Sequence, residues 1–185
     1  MPQRAERFAT YQDILDLPEH LVGEIIHGAL VTHPRPAPKH LLASSALGDE
    51  LFGPFHRGRG GPGGWWILDE PELHLGSHIL VPDLAGWRRE RLASLPDTAY
   101  FELAPDWLCE VLSPATARTD RADKLPLYAA HAVDWCWLVD PDLRTLEVLQ
   151  RREAHWLLVD TYKDDAQVQA PPFADITIDM AGLWA

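Results

Sequence analysis

The chain has 185 residues, of which 46% are hydrophobic and 24% are charged, and its formal net charge at pH 7 is −12. This length and composition predict one globular domain over residues 1–185. The negative charge argues against broad non-specific binding to phosphate backbones, although local basic clusters could still bind them. No apolar run approaches the length of a membrane span, so we expect no membrane segment. Cys109 and Cys136 lie in apolar, strand-like runs, which predicts buried free thiols and a cytoplasmic protein.

The first third of the chain predicts a short helix, a hairpin and a longer helix. Thr10, with Asp13 three residues later, is close to a capping box. Residues 21–26 and 29–32 are β-favouring runs separated by a two-residue turn that ends in glycine, which indicates a hairpin. A helix that packs on a sheet is expected over residues 39–55. Its apolar positions are Leu41, Leu42, Leu47, Leu51, Phe52 and Phe55.

The middle of the chain predicts strands and one more helix. A strand begins at Trp65, residues 72–75 and 79–81 form a second hairpin, and residues 83–87 form a central strand. Residues 88–95 are interpreted as a short helix that ends before a proline. Residues 107–112 are almost continuously apolar, which is typical of a buried strand.

A βαβ unit is expected after the buried strand. A helix begins at Thr119 and runs to His131, although Pro126 is unfavourable inside it, and a buried strand follows over residues 134–139. The two strands of such a unit are parallel neighbours. Two more strands, over residues 145–150 and 155–160, and a short cover after Phe173 complete an α/β fold that has a mixed central sheet with helices on both faces.

Two acids interrupt these apolar strands. Asp83 follows an apolar run and Glu110 lies in the middle of another, where an uncompensated carboxylate is costly. Metal-assisted phosphodiester cleavage needs oxygen ligands for a hard cation, a polarised water and a cation that steadies the phosphate charge. Asp83 and Glu110 could share the ion, and Lys124, on the following helix, could lie over them.

Each of these residues also has a structural interpretation. Asp83 could be a turn or cap acid, because it follows a proline. Glu110 could serve the fold alone, and Lys124 considered by itself is an ordinary solvated helix lysine. Glu24 could be an exposed acid of the first hairpin.

Five segments, taken together and in order, resemble the Uma-type restriction endonuclease family of the PD-(D/E)XK nuclease superfamily. The segments cover residues 23–30, 81–84, 109–114, 118–125 with Tyr128, and 137–141.

The resemblance implies a restriction endonuclease-like core with an N-terminal helix and β-hairpin. It assigns the metal carboxylates to Asp83 and Glu110, with Glu24 as a third metal residue. The superfamily lysine is missing at Leu112 and is expected at Lys124 instead. His40 matches a family histidine, for which we expect a supporting position beside the site.

The sequence therefore predicts a Mg²⁺-dependent or Mn²⁺-dependent endonuclease that acts on DNA, with Asp83, Glu110 and Lys124 as catalytic residues. A homodimer is expected because cleavage of both strands requires two sites. The alternative is a catalytically silent module of the same fold that binds nucleic acid or a protein partner.

Overall fold

A computed structural model describes residues 7–184 of the chain. Most of the elements follow the order expected from the sequence. The α-helices are α1 (Tyr11–Leu15), α2 (Pro38–Leu51), α3 (Ala117–Thr119) and α4 (Leu125–Ala130). Two π-helical turns cover Phe52–His56, directly after α2, and Asp120–Lys124, and a 3-10 helix covers Met180–Leu183. The strands are β1 (Leu21–Ile26), β2 (Ala29–Pro34), β3 (Trp65–Asp69), β4 (Leu73–Leu75), β5 (His78–Leu80), β6 (Leu84–Arg88), β7 (Trp107–Val111), β8 (Trp135–Asp140), β9 (Thr145–Arg152), β10 (His155–Lys163), β11 (Gln167–Val168) and β12 (Ile178–Asp179). None of the helices described here has both the length and the apolar character needed to cross a membrane.

The strands form a large mixed sheet, a smaller antiparallel sheet and a short two-stranded ribbon. The large sheet has the order β10-β9-β8-β7-β6-β3, and only β7 and β8 are parallel in it. The α3–α4 crossover connects these two strands, which confirms the predicted βαβ unit. The smaller sheet has the order β2-β1-β5-β4 and contains both predicted hairpins.

The alternation of side chains along β7 divides the core into two layers. Trp107, Cys109 and Val111 pack with α2 and the C-terminal segment on one face of the large sheet. Leu108 and Leu112 pack with α4 and the smaller sheet on the other face. Helices therefore cover both faces, as the sequence predicts, and Glu110 projects on the same side as Leu108 and Leu112.

Two details of the expected helices are wrong. Residues 88–95 form turns rather than a helix, because the backbone N–H of Arg89 donates to Gly64 and the carbonyl of Leu92 accepts from the Trp66 indole. On α2, Leu41 and Leu42 are exposed, because the buried stripe follows a four-residue step through Ala43, Leu47 and Leu51.

This stripe predicts a contrast between two leucines of one helix. We expect Leu47→Ala to lower the free energy of unfolding by roughly 2–5 kcal/mol, because it opens a cavity in a closed core. Leu41→Ala, at a position that is 48% exposed on the same helix, is the matched control and should change it by less than about 1 kcal/mol. Urea denaturation measures both values, and equal losses would contradict the assignment of the buried face.

Candidate active site

The main group of buried charges lies beside the end of β7, around a cavity of about 320 Å³. Among residues 7–184, four of the five buried charged side chains belong to it: Glu24, Glu110, Asp120 and Lys124, which are 1–3% exposed. The fifth, Asp106, lies elsewhere and pairs with Arg91. Charge is costly to bury without partners, so the contacts of these groups define the site.

Strand register brings Asp83 next to Glu110. Leu84 lies opposite Cys109 in the β6–β7 ladder, and Asp83 directly precedes β6. Continuing the register by one residue places Asp83 opposite Glu110, and opposite residues of neighbouring strands share a face of the sheet. The backbone N–H of Val111 donates to Asp83 Oδ2 over 2.7 Å, so the Asp83 carboxylate is anchored at the end of the strand pair.

Glu24 reaches the same cavity from the smaller sheet. Glu24 Oε1 accepts a hydrogen bond of 2.7 Å from the backbone N–H of Val81, which follows β5. Its Oε2 atom lies 2.8 Å from His33 Nε2 on β2. Glu24 is therefore a buried acid, and the alternative that it is an exposed acid of the first hairpin is wrong.

Lys124 lies at the centre of the carboxylates. Its Nζ atom is 2.8 Å from Glu110 Oε1, 3.0 Å from Glu24 Oε1 and 3.6 Å from Asp120 Oδ1. The Nζ atom is also 3.4 Å from the carbonyl oxygen of Val81. Lys124 is therefore not the solvated residue that its position on a helix alone would suggest. Its ammonium connects acids from two sheets and one helix.

A π-helical turn places Lys124 over the site and accommodates Pro126. The turn covers Asp120–Lys124 and connects α3 with α4, so both of its ends, Asp120 and Lys124, are buried. A proline inside an α-helix lacks a backbone donor and clashes with the carbonyl four residues earlier. A π-helical turn widens the backbone at this point, and such turns are frequent at functional sites.

Two further donors hold the acids in place. The Tyr128 hydroxyl donates to Glu110 Oε1 over 2.6 Å in the fully buried interior. His40 Nε2 lies 3.2 Å from Asp83 Oδ1. His40 thus lies beside the site and contacts an acid, as the resemblance implied.

Asp120 and His33 are members of the cluster that the sequence reasoning did not single out. Their signals were present in the sequence. Asp120 is one helical turn before Lys124, and the hairpin register puts His33 opposite Val22, on the same face as Glu24.

The surroundings shift the pKa values of the two central glutamates in opposite directions. Burial raises the pKa of Glu24, but the attraction of Lys124 and the hydrogen bonds from His33 and Val81 outweigh it and bring the value to about 2. Burial raises the pKa of Glu110 well above its ordinary range, and Lys124 offsets this only in part because Asp120 and Asp83 are also close. The pKa of Lys124 is lowered by burial but raised more strongly by Glu110 and Glu24, so the ammonium stays charged.

The low pKa of Glu24 predicts a pH-dependent term in stability. The pKa falls from 4.5 to about 2 on folding, so ionised Glu24 contributes fully above about pH 4.5 and its contribution is lost as the pH falls through about 2. We expect the stability advantage of the wild type over Glu24→Gln to shrink over this window by on the order of 3 kcal/mol. Urea denaturation of both proteins at a series of pH values measures the change, and a pH-independent difference would contradict the pairing of Glu24 with Lys124.

The oxygen-rich cavity suits a hard divalent cation in its chemistry. Mg²⁺ and Mn²⁺ prefer carboxylate, carbonyl and water oxygens, and Glu24, Asp83 and Glu110 offer carboxylates to one cavity. Within residues 7–184, however, no three acid, histidine or cysteine side chains are already arranged around one cation position. The Lys124 ammonium stands between two of the acids, so cation binding requires Lys124 or a carboxylate to shift.

Comparisons with known proteins agree with this fold. A crystal structure from Anabaena variabilis, described as a putative nuclease belonging to DUF820, has a TM-score of 0.74 to this chain and 25% sequence identity, and the match covers 95% of this chain and 97% of that one. No curated protein matches the chain. The model of the Uma2 family, described as "Putative restriction endonuclease", matches residues 8–181. The resemblance drawn from the sequence is thereby confirmed, with its α/β fold, and the chain belongs to the Uma2 family.

Proposed function

We propose that this protein is a metal-dependent endonuclease that hydrolyses DNA phosphodiester bonds at the cavity beside β7. The observation that carries the proposal is the convergence of Glu24, Asp83 and Glu110 on one cavity around the buried Lys124. Desolvated acids with strongly shifted pKa values, gathered in a cleft, are typical of catalytic sites. Membership of a family described as restriction endonucleases supports the same chemistry.

Asp83, Glu110 and Glu24 would hold Mg²⁺ or Mn²⁺. The contacts described above for Glu110 both fall on Oε1, so Oε2 is the atom available to the cation. When bound, such a cation lowers the pKa of water and neutralises charge on phosphoryl oxygens. Val111 and His40 fix the Asp83 carboxylate, and Tyr128 fixes that of Glu110, so these acids are oriented before a ligand arrives.

Lys124 would interact with the phosphate as it gains charge during cleavage. Its ammonium is held by acids rather than by solvent, so it is already desolvated when the substrate arrives. Once its contacts to Glu24 and Glu110 are relaxed, Lys124 would be free to turn toward the phosphate oxygens. Lys124, on the crossover between β7 and β8, would thus take the role of the superfamily lysine that is missing at Leu112.

The proposal is tested by incubating the wild type with plasmid and oligonucleotide DNA in Mg²⁺, in Mn²⁺ and in EDTA. We expect cleavage that requires the divalent cation. Intact DNA in every condition would contradict the proposed nuclease activity.

A catalytically silent module of the same fold is the second candidate. The arrangement of Lys124 favours it, because one ammonium already contacts Glu24, Glu110 and Asp120, and an internal cation can neutralise acids without a metal. Calorimetric titration with Mn²⁺ separates the two candidates. Absence of binding to the wild type would support the silent module.

We also propose a homodimer in the cytoplasm. The edge strand β10 exposes Leu157, Leu158 and Val159 in succession, and exposed apolar side chains on an unpaired edge favour association. The buried free thiols Cys109 and Cys136 fit a reducing compartment. Sedimentation of the wild type and of Leu158→Lys tests the dimer, which the charged side chain should dissociate.

A further inference from the structure

The cavity beside β7 has a shape that selects among nucleic acid substrates. Its base holds the acids, and its two sides come from separate connections: the β2–α2 linker and the segment between β7 and α3. Pro34 and Pro36 lie on the first side, and Pro114 and Ala115 lie on the second. Because proline fixes a backbone dihedral, these sides are preformed rather than assembled on binding.

The volume of the cavity fits one nucleotide. At about 320 Å³ it lies near the lower limit of roughly 300–1,000 Å³ for small-molecule sites. A paired duplex presents to a protein its phosphates, sugars and base edges, while its base faces are stacked on one another. The acids at the base of the cavity are thus reached best by a phosphodiester whose own nucleoside enters with it.

The polarity of the cavity points the same way. Glu24, Glu110, Asp120 and Lys124 are buried in its wall, whereas its exposed lining is mainly apolar and includes Pro34, Pro114 and Ala115 beside the polar Arg35, Ser113 and Thr116. Apolar side chains of this kind bind the face of a base that has left its stack, and enzymes that act on extruded nucleotides hold them in such pockets. A phosphate backbone alone would leave these apolar surfaces without a partner.

Two exposed arginines, one on the first connection and one in α3 just after the second, belong to a chain whose net charge is −12. Arg35 lines the cavity between Pro34 and Pro36, and Arg118 lies shortly after Ala115. Each can contact a phosphate next to the nucleotide in the cavity and offset part of the general repulsion.

We propose that the site takes an unpaired nucleotide, from a single strand or flipped out of a duplex, rather than a continuously paired duplex. This inference rests on the proposed nuclease function, because it assigns the substrate class of the same cavity. Filling the cavity should therefore remove the preference for unpaired substrates.

The test uses the wild type in EDTA, so that binding is measured without cleavage. Three oligonucleotides of the same sequence are compared: a single strand, a duplex with one bulged 2-aminopurine, and a fully paired duplex. We expect the first two to bind at least about tenfold more tightly than the third, since a paired duplex must first be unstacked. The fluorescence of the bulged 2-aminopurine should change on binding, and a preference for the bulge over the single strand would assign the source as a flipped nucleotide.

Ala115→Trp and Ala37→Trp should fill the cavity from opposite sides. Both alanines line the cavity and are exposed, so the substitutions should leave folding intact. Each should abolish the preference, while Ala130→Trp, at an exposed position of α4 away from the cavity, should keep it. Equal binding of all three oligonucleotides by the wild type, or an unchanged preference in both cavity variants, would overturn the inference. Metal-dependent cleavage of paired DNA alongside that result would leave the proposed function intact. A retained preference for unpaired substrates without any metal-dependent cleavage would instead contradict the proposed nuclease function and still support a binding site for an unpaired nucleotide.

Discussion

Asp83→Asn is expected to reduce metal-dependent DNA cleavage by roughly 10²–10³-fold, the loss typical when one group that stabilises transition-state charge is removed. Asparagine keeps the size of the side chain and an oxygen that can accept from Val111, so the β6–β7 contact is preserved. What it loses is the negative charge opposite Glu110. The rate of plasmid nicking in Mg²⁺ and in Mn²⁺, compared with the wild type, measures the effect.

Asp142→Asn is the matched control for loss of a carboxylate. Asp142 is exposed and contacts Lys39 over 3.4 Å, outside the cavity. Its replacement should leave cleavage within about twofold of the wild type, because exposed ion pairs contribute little. If Asp83→Asn cleaves as fast as this control, the acid has no part in the reaction.

Lys124→Met is expected to produce the largest loss of stability, roughly 3–5 kcal/mol at pH 7, because removing one partner leaves buried charges uncompensated. Methionine matches the length of the lysine stem and removes only the ammonium. Glu24 and Glu110 then lose a contact of 3.0 and 2.8 Å, respectively, and Asp120 loses its neighbour. Urea denaturation at pH 7 and at lower pH measures the loss.

The pH dependence of this variant has a definite sign. Without the ammonium, the folded-state pKa values of the acids rise, so the acids take up protons more readily in the folded protein. The deficit of Lys124→Met relative to the wild type should therefore shrink as the pH falls toward about 2, the pKa of Glu24 in the folded wild type. Lys39→Met, at an exposed residue that contacts Asp142, should cost less than about 1 kcal/mol and serves as the control. A Lys124→Met protein as stable as this control would show that the ammonium does not hold the acids.

These two variants separate the roles of charge in the site. Asp83 is anchored by the backbone of β7, so its loss should affect cleavage more than folding. Lys124 connects Glu24 on the smaller sheet with Glu110 on the larger one, so its loss should affect both. A cluster that combines buried acids with one shared cation is a poor way to stabilise a fold, which is why we interpret it as functional.

The local patterns of the chain determined most of its secondary structure. Alternating or continuously apolar runs identified β1, β2, β7 and β8, because the side-chain period of a strand is set by the backbone itself. The same runs identified Asp83 and Glu110 as acids with apolar neighbours in the sequence, because such a pattern can be recognised without knowing the fold. The helix after β7 supplied Lys124 as their candidate partner, and the family resemblance then supported Lys124 and added Glu24 as a metal residue.

Tertiary structure alone decided how these residues meet. The burial of Lys124 between Glu24 and Glu110 depends on a π-helical turn and on the docking of two sheets, neither of which has a periodic signal. The turns after Arg88 and the exposure of Leu41 likewise follow from distant contacts that override local propensity. Sequence period fixes which side of an element a residue lies on, whereas the partners of a buried charge are set by what packs against that side.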